Sequence, residues 1–311
     1  MTLLLYLTIY AAASVFACAC LFRILRYART PIHLRWELYP VPHEERERVK
    51  HGGSYFETSN WWKAPRRVSL LGELRFMIPE MLFLKGLWEF NRKLWYRSFA
   101  FHFGLYLLIG TIGFVAAGAL LSVLAPNWMA AGWGSFFQIV YGITGVAGSL
   151  LVILGSLALA RHRLRDPSLR IYTTAGDLFN LAFFSVALLV FSAGYISRGP
   201  SAPDLLAFAK GLITFDRNLE LPLPLAAGVL LIALLAAYVP LTHMSHFIAK
   251  FFTYHSVRWD DAPSRRGGKL EARMAEYLTY RPTWSAAHLA ADGRKTWAEV
   301  AAHNPAQEGR K

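Results

Sequence analysis

The stretch Phe99 to Leu124 reads FAFHFGLYLLIGTIGFVAAGALLSVL and contains no charged residue. It exceeds the roughly 20 apolar residues that a helix needs to cross a hydrocarbon core of about 30 Å. Four further runs meet the same criterion: Leu3 to Phe22, Ser135 to Ala160, Asp177 to Ile196 and Leu223 to Ile248. Because a helix satisfies its own backbone hydrogen bonds in lipid, the sequence predicts an all-α integral membrane bundle of five transmembrane helices.

The composition supports this class of protein. Hydrophobic residues make up 55% of the chain and charged residues only 17%, so a membrane environment with lipid contacts is expected. Cys18 and Cys20 are the only cysteines and lie in one apolar run, which excludes a disulfide framework and a cysteine-rich metal motif. An iron–sulfur cluster would therefore belong to another subunit. No phosphate loop, zinc-protease motif or nucleophile elbow is present, and no nucleic-acid partner is indicated.

The distribution of lysine and arginine predicts the orientation. Of the 33 basic residues, 15 lie between Arg23 and Arg97, 4 between Arg161 and Arg170 and 11 from Lys250 onwards. Positive loops stay in the cytoplasm, so the amino terminus is predicted to lie outside and the carboxyl terminus in the cytoplasm. No basic residue precedes the first run, which favours an uncleaved first helix over a signal peptide.

These runs divide the chain into four segments. They are a first transmembrane helix (1–22), a cytoplasmic insertion (23–97), a four-helix membrane domain (98–250) and a cytoplasmic tail (251–311). The end of the insertion is predicted to form an amphipathic helix pair broken near Pro79, lying on the membrane surface or against a partner. The tail has only short apolar patches, at Met274 to Tyr280 and Trp297 to Ala302, so it either docks on a soluble subunit or is partly disordered.

Histidines within the spans are the candidate functional residues. Ionisable side chains at membrane depth are costly and usually functional, and a neutral imidazole is a common axial ligand of haem iron. His102 lies about 6 Å inside the cytoplasmic end of the second span, and His243 and His246 lie near the same end of the fifth. The sequence therefore predicts one b-type haem between these helices, with His102 as one ligand. Arg97 and Lys250 either pair with its propionates or serve only as positive-inside residues.

Two motifs resemble those of a known family. Phe101-His102-Phe103-Gly104-Leu105 is similar to the first haem-binding motif of the respiratory nitrate reductase gamma-subunit family, and Pro240-Leu-Thr-His243-Met-Ser-His246-Phe is similar to its last. The resemblance covers residues 98–250 and the first helix. Counted from Pro240, it implies His246 as the second ligand, with His243 as the alternative ligand or as a hydrogen-bond donor to a propionate or a quinone oxygen.

The segment 252–261, FTYHSVRWDD, resembles the branch of this family that accompanies heterodisulfide-reductase-like iron–sulfur proteins, including those linked to dissimilatory sulfite reductase. The resemblance implies a subunit of a quinone-linked oxidoreductase complex in a prokaryotic cytoplasmic membrane. Such a subunit transfers electrons between menaquinone or ubiquinone and a cytoplasmic iron–sulfur subunit. A quinone pocket is apolar with a few polar groups, and depth suggests these candidates: Asp177, Asn180, His162, Tyr172 and His33. A helix cap is the alternative role for Asp177.

The sequence departs from the family at a second haem site. That site would need histidines near Ile112 and near Gly228, and neither neighbourhood has one. A single haem on the cytoplasmic side is therefore expected. Quinone protons would then exchange with the cytoplasm, and electron transfer would not itself build a membrane potential.

The competing hypothesis is a haem-free membrane anchor or a proton-coupled transport subunit in which the histidines relay protons. Transporters commonly show repeated halves and helices broken near the midplane. In this chain the intramembrane ionisable residues gather at one face instead, which favours the haem hypothesis.

Overall fold

The structure, a computed structural model, describes residues 1–29, 59–60, 63, 70–254, 265–283 and 292–302. The chain divides into two compact units, each described by itself. The first unit comprises Met1–Leu21 and Pro79–Ser245, and the second comprises Phe22–Ile78 and His246–Lys311. The predicted site residue His33 lies outside the described residues.

Every regular element within the described ranges is helical. The main helices are α1 (Thr2–Arg29), α2 (Leu70–Phe83), α3 (Lys85–Phe90), α4 (Arg92–Leu124), α5 (Gly134–Arg165), α6 (Ala175–Ser197), α7 (Leu205–Thr214), α8 (Leu223–Tyr238), α9 (His246–Tyr254), α10 (Lys269–Leu278) and α11 (Trp297–Ala302). Short turns of helix at Pro126–Trp128, Met129–Trp133 and Pro167–Arg170 connect some of them.

Five of the described helices are long and apolar enough to cross a membrane: α1, α4, α5 with the turns before it, α6, and α8 with the turn after it. The predicted all-α class and the number of spans are confirmed for the described part of the chain. The orientation stays a prediction. Apolar side chains cover most of their outward surface, as expected for helices surrounded by lipid.

Glycines bring α4 and α5 into close contact along one seam. A methyl group on Gly104 would lie 2.8 Å from the Gly148 carbonyl oxygen and from the Val152 nitrogen, and one on Gly155 would lie 2.6 Å from the Phe101 nitrogen. Contacts this short are possible only for glycine. The two backbones therefore touch directly beside Phe101 and hold this part of α4 rigidly.

A second seam of the same kind joins α6 and α8. A methyl group on Gly194 would lie 2.5 Å from the Pro224 carbonyl oxygen, and one on Gly228 would overlap the Phe191 Cα. Between the two seams, α4, α5, α6 and α8 share one apolar core, whose buried members are Phe101, Val152, Leu181, Phe184, Ala187, Leu188 and Leu235. Small residues thus fix the helix pairs and larger residues fill the space between them.

The first helix is held to the bundle at its amino-terminal end. Thr2, Tyr6 and Tyr10 lie one turn apart on one face and donate side-chain hydrogen bonds to backbone carbonyl oxygens in the segment 212–219. Residues 13–18, by contrast, are all exposed, and six consecutive residues cover every face of a helix. Contacts within the bundle therefore anchor α1 at its first three turns.

Two helices, α2 and α3, are observed at the end of the insertion, but the predicted break near Pro79 is wrong. Helix α2 continues through Pro79 to Phe83, and the chain turns at Leu84, which has φ 54° and ψ 48°. The Glu80 carboxylate accepts a hydrogen bond from the Gly86 backbone N–H at 2.7 Å and holds this turn. The break between α2 and α3 therefore depends on the contact between Glu80 and Gly86, which follows the turn. Pro79 only removes one backbone hydrogen bond from α2.

The predicted continuous fifth span through Ile248 is also wrong. Helix α8 ends at Tyr238, short 3₁₀ turns follow at Val239–Leu241 and His243–Ser245, and α9 begins at His246. Pro240 has no backbone N–H to continue the helix, and Thr242 is extended with φ −111° and ψ −177°. The chain therefore changes direction just before His243.

In the second unit, α10 and α11 form a small helical pair in the tail. The Tyr277 ring stacks on the Trp297 ring with centroids 6.4 Å apart, and the Trp297 backbone N–H donates to the Tyr280 carbonyl oxygen at 2.9 Å. Val300 is buried. The two apolar patches seen in the tail sequence thus include the residues that pair these helices.

Candidate functional site

The imidazole of His102 is oriented by its own helix. Its Nδ1 lies 2.7 Å from the Ser98 carbonyl oxygen and 3.4 Å from the Ser98 hydroxyl. A carbonyl oxygen only accepts, so Nδ1 carries the proton and Nε2 carries the lone pair of the neutral ring. This hydrogen bond to a backbone carbonyl is the arrangement that fixes the tautomer of metal-ligating histidines.

One side of His102 borders the rigid core. The Phe101 ring lies edge-on to the His102 ring, with centroids 5.5 Å apart, and edge-on to the Phe184 ring on α6 at 5.3 Å. Phe101 is itself fixed by the contact with Gly155 on α5. The position of His102 is therefore set by three packed helices and not by α4 alone.

The last turn of α2 borders the other side. Trp95, His102 and Tyr106 lie close to one line along α4, because seven and four residues correspond to nearly whole turns. The Trp95 Nε1 donates to the Phe83 carbonyl oxygen at 2.8 Å, and the Tyr106 hydroxyl donates to the Met81 carbonyl oxygen at 3.1 Å. These two bonds satisfy carbonyl groups that the end of a helix leaves without partners.

A polar network lies at the same end of the bundle, between α6 and the end of α8. The Tyr238 hydroxyl donates to the Asn180 Oδ1 at 2.7 Å, and the Asn180 Nδ2 lies 3.2 Å from the His243 Nε2. The same His243 nitrogen lies 3.5 Å from an oxygen of Asp177. Asn180 is only 3% exposed, so its amide depends on these partners.

Asp177 links this network to α5 and also caps α6. One carboxylate oxygen accepts hydrogen bonds from the Thr174 backbone N–H and hydroxyl, each at 2.9 Å, and lies 3.9 Å from the Arg163 guanidinium. The Thr174 hydroxyl accepts in turn from the Asp177 N–H, which completes a capping box. The capping role weighed for Asp177 from the sequence is therefore observed, together with contacts that the sequence did not predict.

The structure brings together only some of the predicted residues. Asp177, Asn180 and His243 form one network, joined by Tyr238 and Arg163, which were not predicted. A continuous fifth helix would have placed Tyr238 and His243 about 140° apart, since successive residues turn by about 100°. The break at Pro240 instead allows both side chains to reach Asn180. The only sequence signal for this was the proline itself.

The other candidates lie elsewhere. Tyr172 is 78% exposed in the connection before α6. His162, near the end of α5, is close to Asp166, whose pKa is lowered first by hydrogen bonds from Ser168 and further by the charge of His162. Arg97 lies on α4 and is partly exposed, as is Lys250 on α9 in the second unit.

The residues present fit a haem better than a bare metal ion. Within the described ranges, no group of three or more His, Cys, Asp or Glu side chains could hold a metal ion. A haem does not need such a group, because the porphyrin supplies four nitrogen ligands and the protein only axial ones. His102, with its Nδ1–H bonded to the backbone, has the donor chemistry of an axial ligand.

At the opposite end, the resemblance expects ligands of a second haem near Ile112 and near Gly228. Ile112 is 61% exposed on the surface of α4. Gly228 touches the backbone of Phe191, so no side chain fits at this position without separating α6 from α8. At Gly228 itself, the helix contact therefore leaves no room for a ligand side chain.

Five apolar helices of this length define a multi-pass membrane protein. The chain belongs to the nitrate reductase gamma subunit family, whose model matches residues 87–260, more than half of the chain. Members of this family are membrane cytochrome b subunits that transfer electrons. The resemblance to the gamma-subunit family is thus confirmed, whereas the heterodisulfide-reductase-linked branch stays a prediction. No curated protein and no solved structure shows significant similarity to this chain.

Proposed function

We propose that this chain is the membrane cytochrome b subunit of a quinone-linked oxidoreductase complex, and that it transfers electrons between the quinone pool and a cytoplasmic iron–sulfur subunit. The observation that carries the proposal is the 2.7 Å contact between the His102 Nδ1 and the Ser98 carbonyl oxygen. This bond fixes the ring in the manner typical of metal-ligating histidines, within a helix of a cytochrome b family, and so supports His102 as an axial ligand. A bound b-type haem supplies a one-electron couple at its iron.

The second axial ligand in this proposal is His246. Two observations support this choice: the sequence motif that begins at Pro240, and the contacts of the alternative ligand, His243, with other side chains. The His243 Nε2 faces Asn180 and Asp177, which gives this nitrogen a hydrogen-bonding role within the first unit. His246 begins α9 in the second unit and is exposed there. Arg97 and Lys250 are proposed to neutralise the haem propionates, since cations favour carboxylate partners at a polar boundary.

We place this haem on the cytoplasmic side of a prokaryotic inner membrane, with the amino terminus outside. The support is the positive-inside distribution of lysine and arginine. One haem per chain is proposed, since Gly228 touches the Phe191 backbone where a second haem would need a ligand.

The electron partner is proposed to be a heterodisulfide-reductase-like iron–sulfur protein. The support is the sequence of segment 252–261, of which residues 255–261 lie outside the described residues. The α10 and α11 pair, with its Tyr277 and Trp297 stack, would give the tail an ordered element for contact with that subunit. Co-purification of the iron–sulfur subunit with the chain, and with a variant that lacks residues 265–311, tests this contact. Equal recovery of the iron–sulfur subunit with both proteins would contradict it.

The quinone is proposed to react near this haem and to exchange protons with the cytoplasm, so that turnover moves no net charge across the membrane. The support is the polar network of Asp177, Asn180 and His243, which lies at the His102 end of the bundle. The purified complex in liposomes should oxidise quinol without generating a membrane potential. Charge translocation coupled to turnover would refute this part.

A reduced-minus-oxidised visible spectrum of the purified protein tests the central claim. The wild-type chain should show a b-type α-band that His102→Ala and His246→Ala remove and His162→Ala retains. A wild-type protein without this band would overturn the proposal and favour the haem-free anchor or proton-coupled subunit. Retention of the band in His102→Ala would mean that the ligand is misassigned.

A further inference from the structure

We propose that the quinone headgroup binds against Phe179, Phe183 and Tyr238, and that His243 exchanges the proton of the quinol hydroxyl. This inference rests on the proposed quinone-linked function and assigns a site and a proton-exchanging residue to it. Quinone sites combine an apolar wall with a small number of convergent polar groups. The region between the start of α6 and the end of α8 has both.

The apolar wall is a cluster of three aromatic rings. The Tyr238 ring lies edge-on to the Phe179 ring, with centroids 5.8 Å apart, and to the Phe183 ring at 5.6 Å. Phe179 and Phe183 are one helical turn apart on α6 and are also in contact, at 5.7 Å. Phe179 is half-exposed, so a planar ring arriving from the lipid can reach this wall.

The polar groups are held in fixed orientations beside the wall. The Tyr238 hydroxyl bonds to the Asn180 Oδ1, which turns the Asn180 amide nitrogen toward His243. This amide nitrogen is a donor only, so it stabilises a lone pair on the His243 Nε2. The Asp177 carboxylate, 3.5 Å from the same Nε2, stabilises a proton there. His243 thus has a matched partner in both its protonated and its neutral form.

The proton has a route to solvent. The His243 side chain is 63% exposed, whereas Asp177 is 17% exposed and paired with Arg163. The titratable and charged groups that contact this network in the first unit are Asp177 on α6, Arg163 on α5 and Tyr238 on α8. Asp177 is thus held as a carboxylate partner by Arg163 and the cap, which leaves His243 to gain and lose the proton.

The network is also near His102. Asn180 lies one helical turn from Phe184, and the Phe184 ring contacts Phe101, the neighbour of His102. In quinol oxidation, one hydroxyl O–H bond would break, its proton would pass to His243 and its electron would go to a haem held by His102, which would supply a one-electron couple. His243 would then release the proton to solvent. Once the haem had passed this electron to the iron–sulfur partner, the second hydroxyl would repeat the step. Quinone reduction is the reverse.

Quinol-driven haem reduction in the haem-loaded full-length protein tests the role of His243. With a short-chain quinol, His243→Gln should lower the rate by about 100-fold, a typical contribution of general acid–base catalysis. The dithionite-reduced band should be unchanged. Tyr238→Phe should mainly raise the KM, and Tyr195→Phe, a matched change at the opposite end, should change neither parameter.

An azidoquinone photoprobe gives a second readout that does not depend on haem. It should label the peptide containing Phe179 and Phe183 in the wild-type protein. In Tyr238→Phe, a smaller fraction of this peptide should be labelled. Labelling elsewhere, or a wild-type rate in His243→Gln, would overturn the site while leaving the proposed function intact. Loss of the haem band in His243→Gln would assign His243 to the iron and overturn its role with the quinone. If the purified wild-type protein contained no haem, the proposed function itself would be contradicted.

Discussion

Tyr106 lies one helical turn from His102, and its hydroxyl donates a 3.1 Å hydrogen bond to the carbonyl oxygen of Met81. Together with the bond from Trp95 to Phe83, it fixes the end of the insertion against the face of α4 that bears the histidine. The end of α2 therefore packs against α4 of its own chain, a contact that the sequence did not predict.

Removing these two donors should loosen the turn at Leu84. Each of Trp95→Phe and Tyr106→Phe should lower the free energy of unfolding by about 1 kcal/mol, the usual effect of losing one hydrogen bond. In the double variant, hydrogen exchange measured by mass spectrometry should become faster in residues 84–90. Tyr96→Phe, an exposed neighbour, serves as the control. Unchanged exchange in the double variant would show that other contacts hold this turn.

The seam between α4 and α5 should tolerate no added methyl group. Gly104→Ala should lower the free energy of unfolding by about 1–3 kcal/mol, because the new Cβ would meet backbone atoms of Gly148 and Val152 at 2.8 Å. Thermal unfolding in detergent measures the change.

Gly110 provides a matched control on the same helix. No atom lies within 4 Å of a Cβ added at this position, so Gly110→Ala should raise the stability by about 0.5–1 kcal/mol through helix propensity alone. Equal effects of the two substitutions would contradict the close approach of the helices.

The cap of α6 should contribute to stability. Thr174→Ala removes the hydroxyl that accepts from the Asp177 N–H and should cost about 1 kcal/mol. Thr8→Ala, which removes an exposed hydroxyl bonded within α1, should fall within about 0.5 kcal/mol of the wild type. Chemical denaturation measures both. If Thr174→Ala had no effect, the capping box would not be needed to start α6.

A second haem site should not be recoverable by restoring histidines. Ile112→His should introduce no clash because residue 112 is exposed, whereas Gly228→His should unfold at a lower temperature because its side chain would meet Phe191. The haem-to-protein ratio, measured as the pyridine haemochrome, should stay at one in the double variant. A ratio of two would mean that α6 and α8 separate more readily than their contact suggests.

The sequence predicted the features that depend on local composition. Hydropathy identified all five spans, and the capping role of Asp177 could be weighed from its place at the start of α6. It did not predict the turn at Leu84, since that turn is held by Glu80 and by side chains on α4. It also missed the pairing of Tyr238 with His243, because a continuous fifth helix would have placed these two side chains about 140° apart.

The placement of α1 affects which substitutions this chain can accept. Residues 13–18 are exposed on every side, whereas Tyr6 is fully buried against the segment 212–219. Mutational tolerance should therefore be uniform around the middle of α1, where any apolar residue serves equally and a charge is costly at every position. Near its amino terminus, tolerance should instead depend on the face, with Thr2 and Tyr6 the least replaceable positions.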